Sequence, residues 1–184
     1  MKIEQTKITG VAVIHSEPYK DDRGFFNRIF CQKELEVVRP NIMIAQINHS
    51  MTKTKGTIRG MHFQYPPHSE LKIIRCIKGG VFDVAVDLRK DSPTFLQWHG
   101  EILSAENMKA LVIPEGFAHG FQSLEDNIEM IYIATSPYCK EAESGIRYDD
   151  PKVGIQWPLD RTVISERDLS YSFSTNGYEG ILLM

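Results

Sequence analysis

Arg59-Gly60-Met61-His62-Phe63-Gln64 and, further along, Ile113-Pro114-Glu115-Gly116-Phe117-Ala118-His119-Gly120-Phe121 decide the fold of this chain. Each sets one histidine among apolar residues and glycines, the make-up of a strand that runs into a tight turn. Alternation puts His62 and Gln64 on one face of their strand, and Met61, Phe63 and Tyr65 on the other. Outward from these segments, short strand-like runs recur at residues 11–14, 25–30, 71–77, 81–88, 100–103, 110–113 and 128–134. Asp21-Asp22-Arg23-Gly24 reads as a turn, and Lys78-Gly79-Gly80 as a hairpin-type turn. Many short strands with close turns predict an all-β jelly roll or small barrel.

Few helices are expected, mostly near the C-terminus. Residues 33–38 are a short helical stretch stopped before Pro40. Residues 164–168 begin a polar helical or turn segment with Ser165 as its N-cap. Within the strands, Lys72, Ile74 and Cys76 share a face, and Tyr132 sits with Ile128 and Met130. In residues 81–88, Phe82, Val84, Val86 and Leu88 form an apolar face. Asp83 and Asp87 lie opposite, and one of them is expected to point into a wet pocket.

The length of 184 residues suits one domain, residues 1–184, with a substantial core and a tail from about residue 160. A net charge of −3 gives no global pull toward nucleic acid, so a phosphate-bearing small ligand would need a local cluster of Arg and Lys. Cys31, Cys76 and Cys139 fit no zinc or disulfide spacing and read as buried, reduced thiols of a cytoplasmic protein. No segment approaches the roughly 20 apolar residues that span a bilayer, so no membrane partner is expected.

The two opening segments resemble the paired motifs of a cupin, a small jelly-roll barrel with one pocket. The usual cupin metal set is incomplete here. Gln64 stands where a second histidine ligand is common, and its neutral amide oxygen is a poor substitute for imidazole. No metal and no cofactor are expected, and histidine acid/base chemistry is the leading reading. A metal cupin using His62, His68 and His119 is the alternative. A non-catalytic sugar-nucleotide-binding jelly roll is another.

An ordered series of motifs closely resembles the dTDP-4-dehydrorhamnose 3,5-epimerase family. It runs through Asp22-Arg23-Gly24-Phe25-Phe26, Gln46-Ile47-Asn48-His49-Ser50 and the His62 segment. It continues through residues 81–89, Ser92-Pro93-Thr94-Phe95, Leu103-Ser104-Ala105-Glu106-Asn107 and residues 113–121, to Gly154-Ile155-Gln156-Trp157-Pro158 and Ser165-Glu166-Arg167-Asp168. The resemblance implies a cupin-like homodimer whose N-terminal strands cross to the partner. It implies an isomerase that epimerises C3, C5 or both in a nucleotide-diphosphate-linked 4-keto-6-deoxy sugar. That sugar would be a dTDP-hexose or a GDP-linked hexose or heptose. By the family pattern His62 is the base, Asp168 orients it, Lys72 sits near the enolate oxygen and Tyr132 donates a proton from the opposite face. Arg23, Phe26, Gln46, Asn48, Arg59, His119 and Tyr138 match positions that line the nucleotide-sugar site. Ile47, residues 66–71, Ile133 and Pro137 depart from the common pattern, all around that site.

This chemistry suits these residue types. Removing a proton α to a ketone leaves an enolate and needs a base whose pKa is near working pH, which histidine supplies at about 6.5. A carboxylate behind the imidazole sets its tautomer. A lysine stabilises negative charge where it develops. Epimerisation needs a second donor on the other face, and tyrosine can protonate a carbanion-like carbon.

Overall fold

The central strands are apolar on both faces because both faces become buried. The structure, a computed structural model, describes residues 1–174 and 177–183. Its strands are β1 (Lys2–Gln5), β2 (Ala12–His15), β3 (Tyr19–Asp21), β4 (Gly24–Phe26), β5 (Gln46–Thr52), β6 (Ile58–Gln64) and β7 (Lys72–Lys78). They continue with β8 (Gly80–Asp87), β9 (Trp98–Ser104), β10 (Lys109–Ile113), β11 (Phe117–Ser123), β12 (Ile128–Ala134) and β13 (Glu143–Gly145). Two short helices, α1 (Gln32–Leu35) and α2 (Glu166–Ser170), complete the regular elements.

The strands form two antiparallel sheets. One runs β1-β2-β10-β7-β12-β5, the other β13-β6-β11-β8-β9, and β3 and β4 make a separate hairpin. Side chains from both large sheets meet in one buried cluster that includes Val13, Ile74, Leu111 and Met130 from the first and Val81, Ala85, Leu103 and Phe121 from the second. A second cluster covers the other face of the six-stranded sheet with the N-terminal segment and α1, through Leu35, Ile42 and Phe30. A third covers the other face of the five-stranded sheet with the C-terminal segment, through Ile146, Val153, Trp157 and Ile181. The architecture is the expected jelly roll.

Several expectations need correction. Lys78-Gly79-Gly80 does not close a hairpin, because β7 and β8 belong to different sheets. The turn, with Gly79 at φ 69°, instead carries the chain across the core from one sheet to the other. The strand expected over 25–30 ends at Phe26, and the helix expected over 33–38 is the single turn Gln32–Leu35. The helices are split between the two ends of the chain and are not gathered at the C-terminus. Of the three cysteines only Cys76 is buried, although all are free thiols. Neither Asp83 nor Asp87 faces a wet pocket: Asp83 bonds to His119, and Asp87 is tied down by Arg89, Ser92 and Thr94. Strands β1, β3, β5 and β13 carried too few apolar residues to stand out from the sequence.

Strands β6 and β11 come unusually close where the site forms. A Cβ added at Gly60, whose φ is +132°, would lie 2.5 Å from the Gly120 Cα. Only glycine permits that approach. His119 then falls directly opposite His62, before a register shift between His119 and Phe121.

Candidate active site

The polar end of the layer between the sheets is a cavity of about 170 Å³. The six-stranded sheet contributes Gln46 and Asn48 from β5, Lys72 from β7, and Tyr132 and Ala134 from β12. The five-stranded sheet contributes His62, Phe63 and Gln64 from β6, His119 from β11 and Glu143 from β13. The same alternation that points Ile74 and Met130 into the core points Lys72 and Tyr132 into the cavity.

His62 Nε2 lies 2.8 Å from Asp168 Oδ1. The His62 side chain is 24% exposed and that of Asp168 only 3%. Asp168 comes from α2, where the Ser165 side chain caps the helix by accepting from the Asp168 N–H, as the sequence suggested. Asp168 Oδ2 accepts from the Gly60 N–H at 3.1 Å. Burial works to raise the Asp168 carboxyl, but the His62 hydrogen bond and charge, the Gly60 N–H and Ser165 outweigh it and hold it below the usual carboxylate range.

A second pair lies beside the first. His119 Nε2 is 2.7 and 2.8 Å from the two Asp83 oxygens, with side chains 5% and 0% exposed. Burial raises the Asp83 carboxyl, partly offset by His119 and by the charge of Lys72. On the facing wall, Lys72 Nζ sits 3.1 Å from Glu70 Oε1, an ion pair inside the cavity. Tyr132 packs edge-on against His119 at 6.1 Å between centroids. Burial pushes its hydroxyl up to about 12, opposed by a hydrogen bond from Ser50, with Asp83 adding to the rise.

The binding candidates divide. Gln46, Asn48, His119 and Tyr138 line the cavity. Gln46 Oε1 accepts from the Tyr138 backbone N–H at 2.9 Å. Arg59 lies in an adjoining cleft of about 400 Å³ that it lines together with Asp168 and with His62, which the cleft shares with the cavity. Arg23 and Phe26 are not brought to this cavity within the chain. They sit on the β3–β4 hairpin, where Arg23 pairs with Asp21 and Phe26 is 72% exposed. Glu70, Glu143 and Arg167 were missed. Glu143 accepts from the Tyr138 hydroxyl and from Arg167, bridging the cavity to the Arg59 cleft. The only sequence signals were the place of Glu70 two residues before Lys72 and of Arg167 beside Asp168.

Gln64 holds loops together. Its Nε2 donates to the carbonyls of His68 and Pro137, and its Oε1 accepts from the Cys139 N–H at 2.6 Å. His68 does not line the cavity, so His62, His68 and His119 do not converge as the alternative set required. Among the described residues no three of His, Cys, Asp and Glu are arranged to hold a metal ion.

Fold and cavity together define a cupin-like jelly roll whose pocket holds proton-handling groups on two facing walls. The description of the dTDP-4-dehydrorhamnose 3,5-epimerase family matches residues 5–175, and the chain belongs to that family. A dTDP-4-dehydrorhamnose 3,5-epimerase from Shigella flexneri is 44% identical over 92% of this chain and 94% of its own length. A dTDP-4-dehydrorhamnose 3-epimerase from Streptomyces niveus is 34% identical over 91% of this chain and 81% of its own. Among solved structures, a dTDP-6-deoxy-D-glucose-3,5-epimerase from Legionella pneumophila Philadelphia 1, in complex with dTDP-4-keto-L-rhamnose, superposes with a TM-score of 0.89. That structure is 39% identical and covers 94% of this chain and 92% of the other.

Proposed function

We propose that this chain epimerises both C3 and C5 of dTDP-4-keto-6-deoxyglucose. It is an isomerase of nucleotide-linked 4-keto-6-deoxy sugars. One observation carries the mechanism: His62 and Tyr132 stand on opposite walls of one cavity, with Lys72 on the Tyr132 wall. Inverting a carbon needs a proton removed from one face and returned to the other. Asp168 bonds His62 at Nε2, which leaves Nδ1 as the base. Lys72 stabilises the oxygen of the enolate that forms. Tyr132 gives its proton to the carbon from the facing side. His119, Gln46, Asn48 and Tyr138 hold the sugar end, and Arg59 takes a phosphate in the adjoining cleft. Incubation with dTDP-4-keto-6-deoxyglucose in D2O should place deuterium at both C3 and C5 by NMR. Label at C3 alone would make the enzyme a 3-epimerase, and no label would refute the reading.

The protein acts as one domain and as a homodimer, in the cytoplasm. Support for the dimer comes from the exposed aromatic hairpin, with Tyr19, Phe25 and Phe26 each more than half exposed, and from the unpaired edge of β5, with Ile47 exposed. The hairpin would carry Arg23 and Phe26 to the partner's site, where the guanidinium meets a substrate phosphate. Arg23→Ala should then raise KM about tenfold with a smaller change in kcat. A fully active monomer by light scattering would rule out the shared site. No helix among the described residues is long and apolar enough to cross a membrane.

A further inference from the structure

The Gln46-Ile47-Asn48-His49-Ser50 motif contributes Gln46 and Asn48 to the cavity wall, yet its last residue does not line the cavity. Ser50 stands behind Tyr132. Strand β5 pairs with β12 so that Asn48 is opposite Tyr132 and Ser50 is opposite Met130, one pleat further along on the same face. From there Ser50 Oγ donates to Tyr132 Oη at 3.2 Å. Among the described residues this is the one hydrogen bond of the Tyr132 hydroxyl. A phenol oxygen that accepts from behind keeps its own proton for a partner in front, and in front is the cavity.

We propose that Ser50 is a positioning residue for reprotonation. Its hydroxyl turns the Tyr132 O–H toward the substrate carbon and then holds the phenolate left when that proton has gone. This rests on Tyr132 being the proton donor. In the step, the Tyr132 O–H bond breaks and a C–H bond forms at the enolate carbon, whose electron pair takes the proton. The phenolate keeps the O–H electron pair and accepts the Ser50 hydrogen bond in its charged form, where such bonds are strongest. The cycle closes when His62 releases the abstracted proton to water and the phenolate takes one back. The surroundings make the need plain. Tyr132 is wedged against His119 and the core, with burial the main opposition to its ionisation, Asp83 adding to it, and Ser50 and Arg59 favouring it. Ser50 is the sole one of these in hydrogen-bond contact with the oxygen.

The test separates proton removal from proton return. Ser50→Ala, Ser50→Thr and Tyr132→Phe are assayed with dTDP-4-keto-6-deoxyglucose in D2O, following exchange of substrate protons and formation of epimer separately. Ser50→Ala should lower epimer formation about 10- to 100-fold, the loss of one hydrogen bond to a charged group. Exchange on the His62 side and KM should stay within about threefold. The ratio of exchange to epimerisation therefore rises, and the alkaline limb of the rate profile moves to higher pH. Ser50→Thr keeps a hydroxyl at a strand position that suits a β-branched residue, and should recover epimerisation to within about threefold. Equal losses of exchange and epimerisation in Ser50→Ala, or failure of Ser50→Thr to rescue while melting as wild type, would overturn the role of Ser50. Full epimerisation by Tyr132→Phe would instead refute Tyr132 as donor. Loss in Tyr132→Phe with no effect of Ser50→Ala would refute the Ser50 inference alone.

Discussion

Two histidine–carboxylate pairs stand side by side in this protein, on directly opposed positions of β6 and β11, and their environments differ. His62 is part exposed, and its carboxylate arrives from a helix more than a hundred residues away in the chain. His119 is buried, and Asp83 comes from the neighbouring strand β8. One carboxylate is held below its ordinary range by hydrogen bonds and the other is raised by burial. A base must reach both substrate and water and needs a partner that stays ionised, so the His62 pair suits turnover. The buried pair suits the fixed packing of the wall that faces Tyr132.

The largest expected effect comes from His62→Asn. Exchange at both carbons should fall by about 10²–10⁴-fold, the range for a lost general base, with the circular dichroism spectrum of a folded protein retained. Retention of more than about a tenth of wild-type exchange would remove His62 from the role.

Changes to the carboxylates should separate the pairs further. Asp168→Asn should lower kcat about 100-fold or more through the imidazole tautomer, with KM nearly constant. If binding alone suffers, Asp168 is a substrate contact. Asp83→Ala should act mainly on stability, costing about 1–3 kcal/mol because the buried His119 N–H loses its acceptor. A wild-type melting curve for Asp83→Ala would contradict that assignment.

The pH dependence should have opposite signs. The Asp168 contribution to stability is present above the ordinary carboxylate value of 3.8 and is lost as pH falls through its depressed folded value. The Asp83 carboxyl, with its folded value raised, favours the fold below 3.8, and that contribution is lost as pH rises through the folded value. The advantage of wild type over Asp168→Asn should therefore shrink in acid. Wild type should lose ground to Asp83→Asn as pH climbs above 3.8. Urea titrations of the three proteins at several pH values measure both slopes, and slopes of the same sign would erase the distinction.

The smallest effect is expected from chelation. EDTA should leave the rate within about twofold, since the chemistry assigned to His62, Lys72 and Tyr132 needs no Lewis acid. Activity lost to EDTA and restored by one metal would reopen the metal reading.

Much was legible in the linear chain because the signals were local. Period-2 alternation marked β6, β7, β8 and β12 and grouped Lys72 with Ile74 and Tyr132 with Met130, residues the structure turns inward. Ser165 marked the start of α2, whereas Gly60 and Gly120, read as tight-turn residues, instead lie within strands that crowd together. The site residues were reached through the resemblance carried by ordered motifs. Weakly apolar strands such as β5 escaped because an edge strand with one open side need not alternate strongly.

By itself, the sequence determined the strand-rich architecture, which residues of a central strand share a face and the loss of a histidine at position 64, since each depends only on residue type and spacing. Tertiary structure alone decided the partners. It sent Lys78-Gly79-Gly80 across the core, turned Asp83 onto His119, spent the Gln64 amide on three backbone groups and set Ser50 behind Tyr132. It also left Arg23 and Phe26 on an exposed hairpin, away from the cavity of their own chain. Such pairings join residues far apart in sequence, and which distant groups meet depends on sheet order and register, which no local pattern encodes.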